Sequence, residues 1–230
     1  MNTIVHQNLS VQVVRTKRIK TASIQIRDGL VKAVVPDQIS DFKVETLIKK
    51  RMPWIRKKLQ DESKIISPSK KEYVSGECLT YLGKNYRLKV IANSKSSVKL
   101  ISGYIVVSTS KKSPNKIKEL LTQWYIDHAM ERLKEKTDRY SNIIGVSPNT
   151  VSVRDYKSKW GSCSSDGKIS YNWRIIMSPH RVVDYIVIHE LCHMLEHNHS
   201  REFWRHVSNN CKDYTECRDW LKINAKSLVI

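Results

Sequence analysis

Near the C-terminus, inside a long apolar stretch, His189, Glu190 and His193 fall in an H-E-x-x-H spacing. Residues four apart lie on one face of an α-helix, one turn up, so both imidazoles can reach a single ion. Glu190 stands next to them, placed to accept a proton from water activated by that ion. Ile186, Val187 and Ile188 come immediately before. Burying a carboxylate and two imidazoles in such a helix without partners is costly, and a metal ion resolves the conflict.

A catalytic zinc takes three protein ligands and keeps a fourth position open. His197, His199 and a downstream carboxylate, Glu202 or Glu216, are the candidates for the third. On a straight helix His189 and His197 would lie about 12 Å apart, at 1.5 Å of rise per residue. Ligand nitrogens must sit about 2 Å from the ion, so those two cannot share it. Asn198 reads as a left-handed helix stop, after which the reversing chain brings His199 in from the side. His199 is therefore favoured, with His197 at the rim of the site and Cys192 in the core.

These side chains depend on the elements that carry them. Ser178-Pro179 marks a helix start, with Ser178 as N-cap, and the helix runs to about His197. It is apolar on most sides, as a buried helix is. Ile169, Tyr171, Trp173 and Ile175 alternate with polar residues, as in a half-buried strand that could border a cleft. Gly161 and Ser162, Ser164 and Ser165 make a turn whose backbone N–H groups could line that cleft, with Cys163 read as a small packed residue. Pro114 opens a long amphipathic helix. Upstream lie two strand groups, one from Thr80 to Val107 with a turn at Gly83-Lys84-Asn85, the other from Val11 to Val35 with an Asp28-Gly29 hairpin. Between them Ser40 caps a helix that Pro53 should kink or restart, and residues 61–72 read as a linker.

The 41 Lys and Arg outnumber the 22 Asp and Glu, a formal charge of +19. The excess is graded: +9 over residues 1–70, +7 over 71–140 and +3 over 141–230. Lys49, Lys50, Arg51, Arg56, Lys57 and Lys58 crowd one short helical stretch, which makes a polyanion such as nucleic acid a candidate partner and a solvated lysine-rich surface the plain alternative. Five cysteines without a C-x-x-C pair read as reduced thiols. No apolar run approaches the roughly 20 residues of a membrane span, and no secretory signal is evident in the first 18 residues. The expectation is a cytoplasmic protein with no membrane association.

Several blocks resemble the YgjP-like metallopeptidase family. They are His189-Glu190-Leu191-Cys192-His193, Asn198-His199-Ser200, Phe203-Trp204, Lys159 to Ser165, and Asn172-Trp173-Arg174. Trp54 to Leu59 and Leu82 to Tyr86 extend the likeness over nearly the whole chain. The resemblance implies a zincin-type core related to the SprT-like and WLM proteases, with zinc held by His189, His193 and His199. The family often carries His where this chain has Glu196, which alters the rim and leaves the ligands intact. It supplies no physiological substrate.

The combined expectation is an α+β protein. Residues 1–110 form a β-rich basic N-terminal domain with helices near 41–60, and residues 111–230 a zincin-like catalytic domain. One zinc ion per chain activates water to hydrolyse peptide bonds, with Glu190 as general base. Tyr171, Tyr185 and His197 are equal candidates for stabilising the oxyanion. The competing class is a basic nucleic-acid-associated binding protein in which four ligands close around a structural metal. A protease acting on nucleic-acid-bound proteins lies between the two.

Overall fold

A computed structural model describes residues 2–6, 9–17, 21–27, 29–63 and 71–230. It is an α+β structure that divides into two compact units, Met1–Ile66 and Ser67–Ile230.

The smaller unit contains β1 (Asn2–His6), β2 (Leu9–Thr16), β3 (Ser23–Arg27), β4 (Leu30–Pro36) and α1 (Asp41–Ser63). The sheet order is β1-β2-β4-β3, with β2 and β4 parallel and the outer pairs antiparallel. Period-two alternation buries Val11, Val13, Val31, Ala33 and Val35 on one face. Val44, Ile48, Met52 and Ile55, at helical spacing on α1, complete that core. Arg27 pairs with Leu30, so the expected hairpin forms, although Asp28 lies outside the described residues. Helix α1 starts directly after Ser40 and continues through Pro53 without restarting. Of the expected linker, 61–63 belong to this helix and 64–70 lie outside the described residues.

The larger unit opens with β5 (Cys78–Tyr81), β6 (Lys84–Ala92), β7 (Ser97–Ile101) and β8 (Tyr104–Thr109), in the order β5-β6-β8-β7. Helix α2 (Pro114–Ile144) follows, capped by Ser113, whose hydroxyl accepts from the Lys116 N–H, and closed by Gly145 in the left-handed region at φ 80°. A second sheet, in the order β10-β11-β9, combines β9 (Thr150–Arg154), β10 (Gly161–Cys163) and β11 (Lys168–Asn172). The chain ends in α3 (His180–Cys192), α4 (Arg201–Asn210) and α5 (Tyr214–Asn224). One apolar core runs from Tyr81, Leu88 and Ile105 through Leu121 and Tyr125 to Ile169, Val187 and Phe203. The compact unit carrying the candidate site thus begins near 67 instead of 111, because the β5–β8 sheet shares this core with α2 and α3.

Several boundaries differ from the sequence reading. The β5–β6 turn is Leu82-Gly83, both at positive φ, and Lys84 and Asn85 already belong to β6. Strand β11 stops at Asn172, and Trp173–Met177 form a 3-10 helix in which Ile176 and Met177 are buried as deeply as Trp173 and Ile175. Pro179, not Ser178, occupies the cap position of α3, and Ser178 is buried. Helix α3 ends at Cys192, five residues early. Met194 and Leu195 bond back three residues, to Leu191 and Cys192, so the helix stops by tightening. Asn198 is not in the left-handed region. Among the described residues no helix is long and apolar enough to cross a membrane.

Candidate active site

The C-terminal end of α3 opens into a cavity of about 610 Å³. His189 lies on the last turn of α3, and His193 is the residue that caps it. His199 sits two residues ahead of α4, whose N-cap Ser200 accepts from the Phe203 N–H and so fixes the turn beside it. One coordinating atom from each of the three imidazoles lies within 4.8 Å of the others. The Nε2 atoms of His189 and His199 are 3.1 Å apart. His193 directs Nδ1 at the Glu196 carbonyl, 3.2 Å away, which leaves its Nε2 available.

Aromatic rings brace this cluster. Phe203 stacks on His193 at 4.4 Å and meets His189 and His199 edge-on. Trp204 stacks on His199 at 5.7 Å, with Tyr214 behind it at 5.4 Å. Burial, followed by the charges of His193 and His199, pushes His189 down to about 3, so this imidazole stays neutral.

Three imidazoles form a nitrogen donor set of the kind zinc takes. Two nitrogens held tetrahedrally by one ion at its usual 2.0–2.1 Å would be roughly 3.4 Å apart, close to the His189–His199 separation. Nδ1 of His189 is buried without a hydrogen-bond partner among the described residues, so Nε2 is the ring atom with something to face. The residues present fit the metal that the sequence reading called for.

Glu190 is only 5% exposed. Burial pushes its carboxyl up to about 8, with Lys159 pulling back. Its carboxylate rests on Gly161: a Cβ there would lie 2.5 Å from Glu190 Oε1 and 2.6 Å from Cγ. Strand β10 is thereby pressed against the acid, and only a residue without a side chain fits. The loop before β10 is pinned at both ends. Asn172 donates to the Tyr156 and Lys159 carbonyls, and Arg174 grips Asp155 with two bonds of 2.9 and 3.1 Å.

The strand along the cavity is β10, not the 169–176 stretch anticipated from alternation. Strand β11 is central, paired to β10 on one side and β9 on the other. The flanking inward bonds are Asn172 N–H to the Trp160 carbonyl and Ser164 N–H to the Lys168 carbonyl. By antiparallel alternation the N–H and C=O groups of Gly161 and Cys163 then point to the open edge. No sequence signal for a strand exists in Gly-Ser-Cys; pairing with β11 supplies it.

The remaining candidates fall as follows. His197 lines the cavity and an adjoining polar one of about 340 Å³ with Ser164 and Asp166, outside the three-histidine group. Glu202 pairs with Arg205, and Glu216 with Arg181 at 3.2 Å. Cys192 is buried. Cys163 lines the cavity, its thiol pushed up to about 11 chiefly by burial. Tyr171 lies in the core with its hydroxyl 2.9 Å from Thr137 Oγ1, away from the cavity, whereas Tyr185 and His197 line it. Arg218 and Lys222 of α5 form part of the wall and carry no motif that would have revealed them. A second group of potential ligands, Cys211, Asp213 and Cys217, satisfies itself: both thiols donate to the Asp213 carboxylate, at 3.4 and 3.6 Å.

Residues 20–224 match the family model described as YgjP-like, metallopeptidase domain. No curated protein matches the chain. Two solved structures align with part of it. The metallopeptidase zymogen of Pyrococcus abyssi abylysin is 24% identical and covers 42% of this chain and 99% of its own, with a TM-score of 0.35. That of Methanocaldococcus jannaschii jannalysin is 18% identical and covers 36% and 90%, with a TM-score of 0.32.

Proposed function

Because the chain belongs to the YgjP-like metallopeptidase family and is thus a hydrolase of peptides or proteins, we propose that it is a zinc peptidase, with His189, His193 and His199 as ligands and Glu190 as general base. The observation that carries this reading is the convergence of the three imidazoles within 4.8 Å, beside a carboxylate buried against Gly161. Zinc, when bound, supplies Lewis acidity, lowering the pKa of water towards about 7 and polarising the scissile carbonyl. Glu190 takes a proton from the attacking water on a carboxylate oxygen and hands one to the leaving amine. Its confinement between α3 and β10 fixes where that oxygen stands, which is worth more than its basicity alone. The free edge of β10 receives the substrate as an added strand, through the backbone groups of Gly161 and Cys163. Tyr185 or His197 is placed to stabilise the oxyanion.

The test separates base from ligand. Glu190→Gln is expected to keep one zinc per chain and to lose hydrolysis of dye-labelled casein, read by metal analysis and fluorescence release. Zinc content falling in step with activity would overturn the assignment.

A second part of the proposal concerns the smaller unit. Lys49, Lys50, Arg51, Arg56, Lys57 and Lys58 are all exposed on α1, which supports attraction of a polyanion such as nucleic acid. Five unpaired cysteines support residence in the cytoplasm.

A further inference from the structure

We propose that Arg218 anchors a carboxylate of the substrate, so that the cleft selects peptides bearing an acidic side chain or a free C-terminus. The inference rests on the peptidase reading and adds to it the chemistry of the preferred substrate.

The wall of the cavity is cationic. Lys159, Arg218 and Lys222 line it, and its one carboxylate, Glu190, is 5% exposed and committed against Gly161. Of the three cations, one is paired with an acid and two stand over aromatic rings. Lys222 is held by Asp219 at 2.5 Å, and Lys159 lies over the Tyr156 ring at 4.5 Å from its centre. Arg218 shares the ring contact with Lys159 and differs from both lysines in its planar fork of donors. Its guanidinium carbon stands over the Trp204 ring at 5.2 Å, and among the described residues it makes no hydrogen bond or ion pair. The acids on and just before α5 are taken by others: Asp213 and Glu216 by Arg181, Asp219 by Lys222.

Nε of Arg218 is buried and has no partner among the described residues, so that edge of the fork is closed to a ligand. The terminal nitrogens are what a cavity-lining arginine has left to offer, and a carboxylate matches them with two parallel bonds. The position is suited to the purpose. The Trp204 ring that supports the guanidinium also stacks on His199, so one aromatic ring separates Arg218 from the histidine cluster. An arginine on an aromatic platform, with no acid of its own among the described residues, is a receptor prepared for an incoming one.

The test reads binding, using the zinc-loaded Glu190→Gln protein and fluorescence anisotropy. The probe is one dye-labelled, alanine-rich hexapeptide in four versions, with central Glu or Gln and a free or amidated C-terminus. At least one carboxylate is expected to tighten binding by about tenfold or more over the Gln, amidated version, and the pair that differs names its source. Arg218→Gln keeps a stem over Trp204 and should erase that difference. Arg218→Glu should reverse it, so that the Gln, amidated version binds more tightly than the version carrying the favoured carboxylate. Equal binding of all four versions, weak or tight, overturns the proposal, as does a difference that persists in Arg218→Gln. Failure of the peptidase reading shows separately, as labelled casein left intact by the zinc-loaded parent protein.

Discussion

Gly161→Ala isolates the contact between β10 and the proposed base. Gly161 is not at positive φ, so alanine brings no backbone strain and the whole effect is steric. The new methyl would lie 2.5 Å from Glu190 Oε1, 2.6 Å from Cγ and 2.7 Å from Cδ. Ordinary contacts between such atoms are about 3.5 Å or more, so strand or carboxylate must give by roughly 1 Å. Neither gives easily. The acid is packed on a buried helix, and β10 is bonded to β11 and held by Asn172. Overpacking of this kind costs about 1–3 kcal/mol of stability, which a domain with some 5–15 kcal/mol survives. Misplacing a catalytic group by 1 Å costs about 10²-fold in rate, or roughly 2.7 kcal/mol of barrier. The three histidines are untouched. The expected variant is folded, with a melting point lower by several degrees and full zinc content, and has kcat/KM on labelled casein reduced about a hundredfold. A variant with normal zinc content and kcat/KM within about twofold of the parent would refute the reasoning, since the acid would then tolerate displacement or take no part. Loss of zinc would show instead that β10 positions the ligands.

Two further outcomes are expected. His199→Ala should weaken zinc binding, measured by chelator competition, well beyond the 10- to 100-fold typical of an outer partner, whereas His197→Ala should stay within that range; the reverse order would contradict the ligand set. If α1 attracts nucleic acid, affinity for a short duplex should fall with salt at a slope of about −0.9 per phosphate neutralised, and alanine at Lys50, Lys57 and Lys58 together should flatten it; a slope unmoved by the triple substitution would return these lysines to ordinary solvation.

Much of the candidate site was legible because H-E-x-x-H encodes a local geometry. Four residues on a helix fix two rings on one face, whatever surrounds them. His199 required a chain reversal, and the structure brings it beside His189, although the reason for favouring it over His197 was incomplete. The 12 Å objection to His197 assumes a straight helix to 197, yet α3 stops at Cys192, where no Gly or Pro announces it. That stop coincides with i−3 bonds and with His193 bonding the Glu196 carbonyl, neither of which a motif announces, and with Phe203 stacked on the His193 ring, a tertiary contact. Alternation over Ile169–Ile175 marked a strand that ends at Asn172, and ran on beyond it because a 3-10 helix capped by Asn172 buries Trp173 and Ile175 as well. Strand β10 was invisible for the opposite reason, since Gly-Ser-Cys carries no propensity of its own and is extended by its neighbour. Arg218 left no trace, because its place over Trp204 on the cavity wall, with no acid beside it among the described residues, is a matter of space and not of motif.

The Leu82-Gly83 turn reaches the head of α3. Leu82 N–H bonds the Ile176 carbonyl at 2.8 Å, Gly83 N–H bonds that of Met177 at 3.2 Å, and a Cβ on Gly83 would strike Pro179 Cα at 2.7 Å. Tyr125 of α2 adds a bond to the Thr80 carbonyl. A hairpin laid down about a hundred residues earlier therefore seats the helix that bears His189 and Glu190. The smallest inheritable module of this catalyst is then larger than its motifs. A recombination that transplanted the stretch from α2 to the C-terminus into another gene would carry every reactive group and leave the backbone of Ile176 and Met177 facing water. Only a graft that begins ahead of the β5–β6 hairpin moves the site together with its footing.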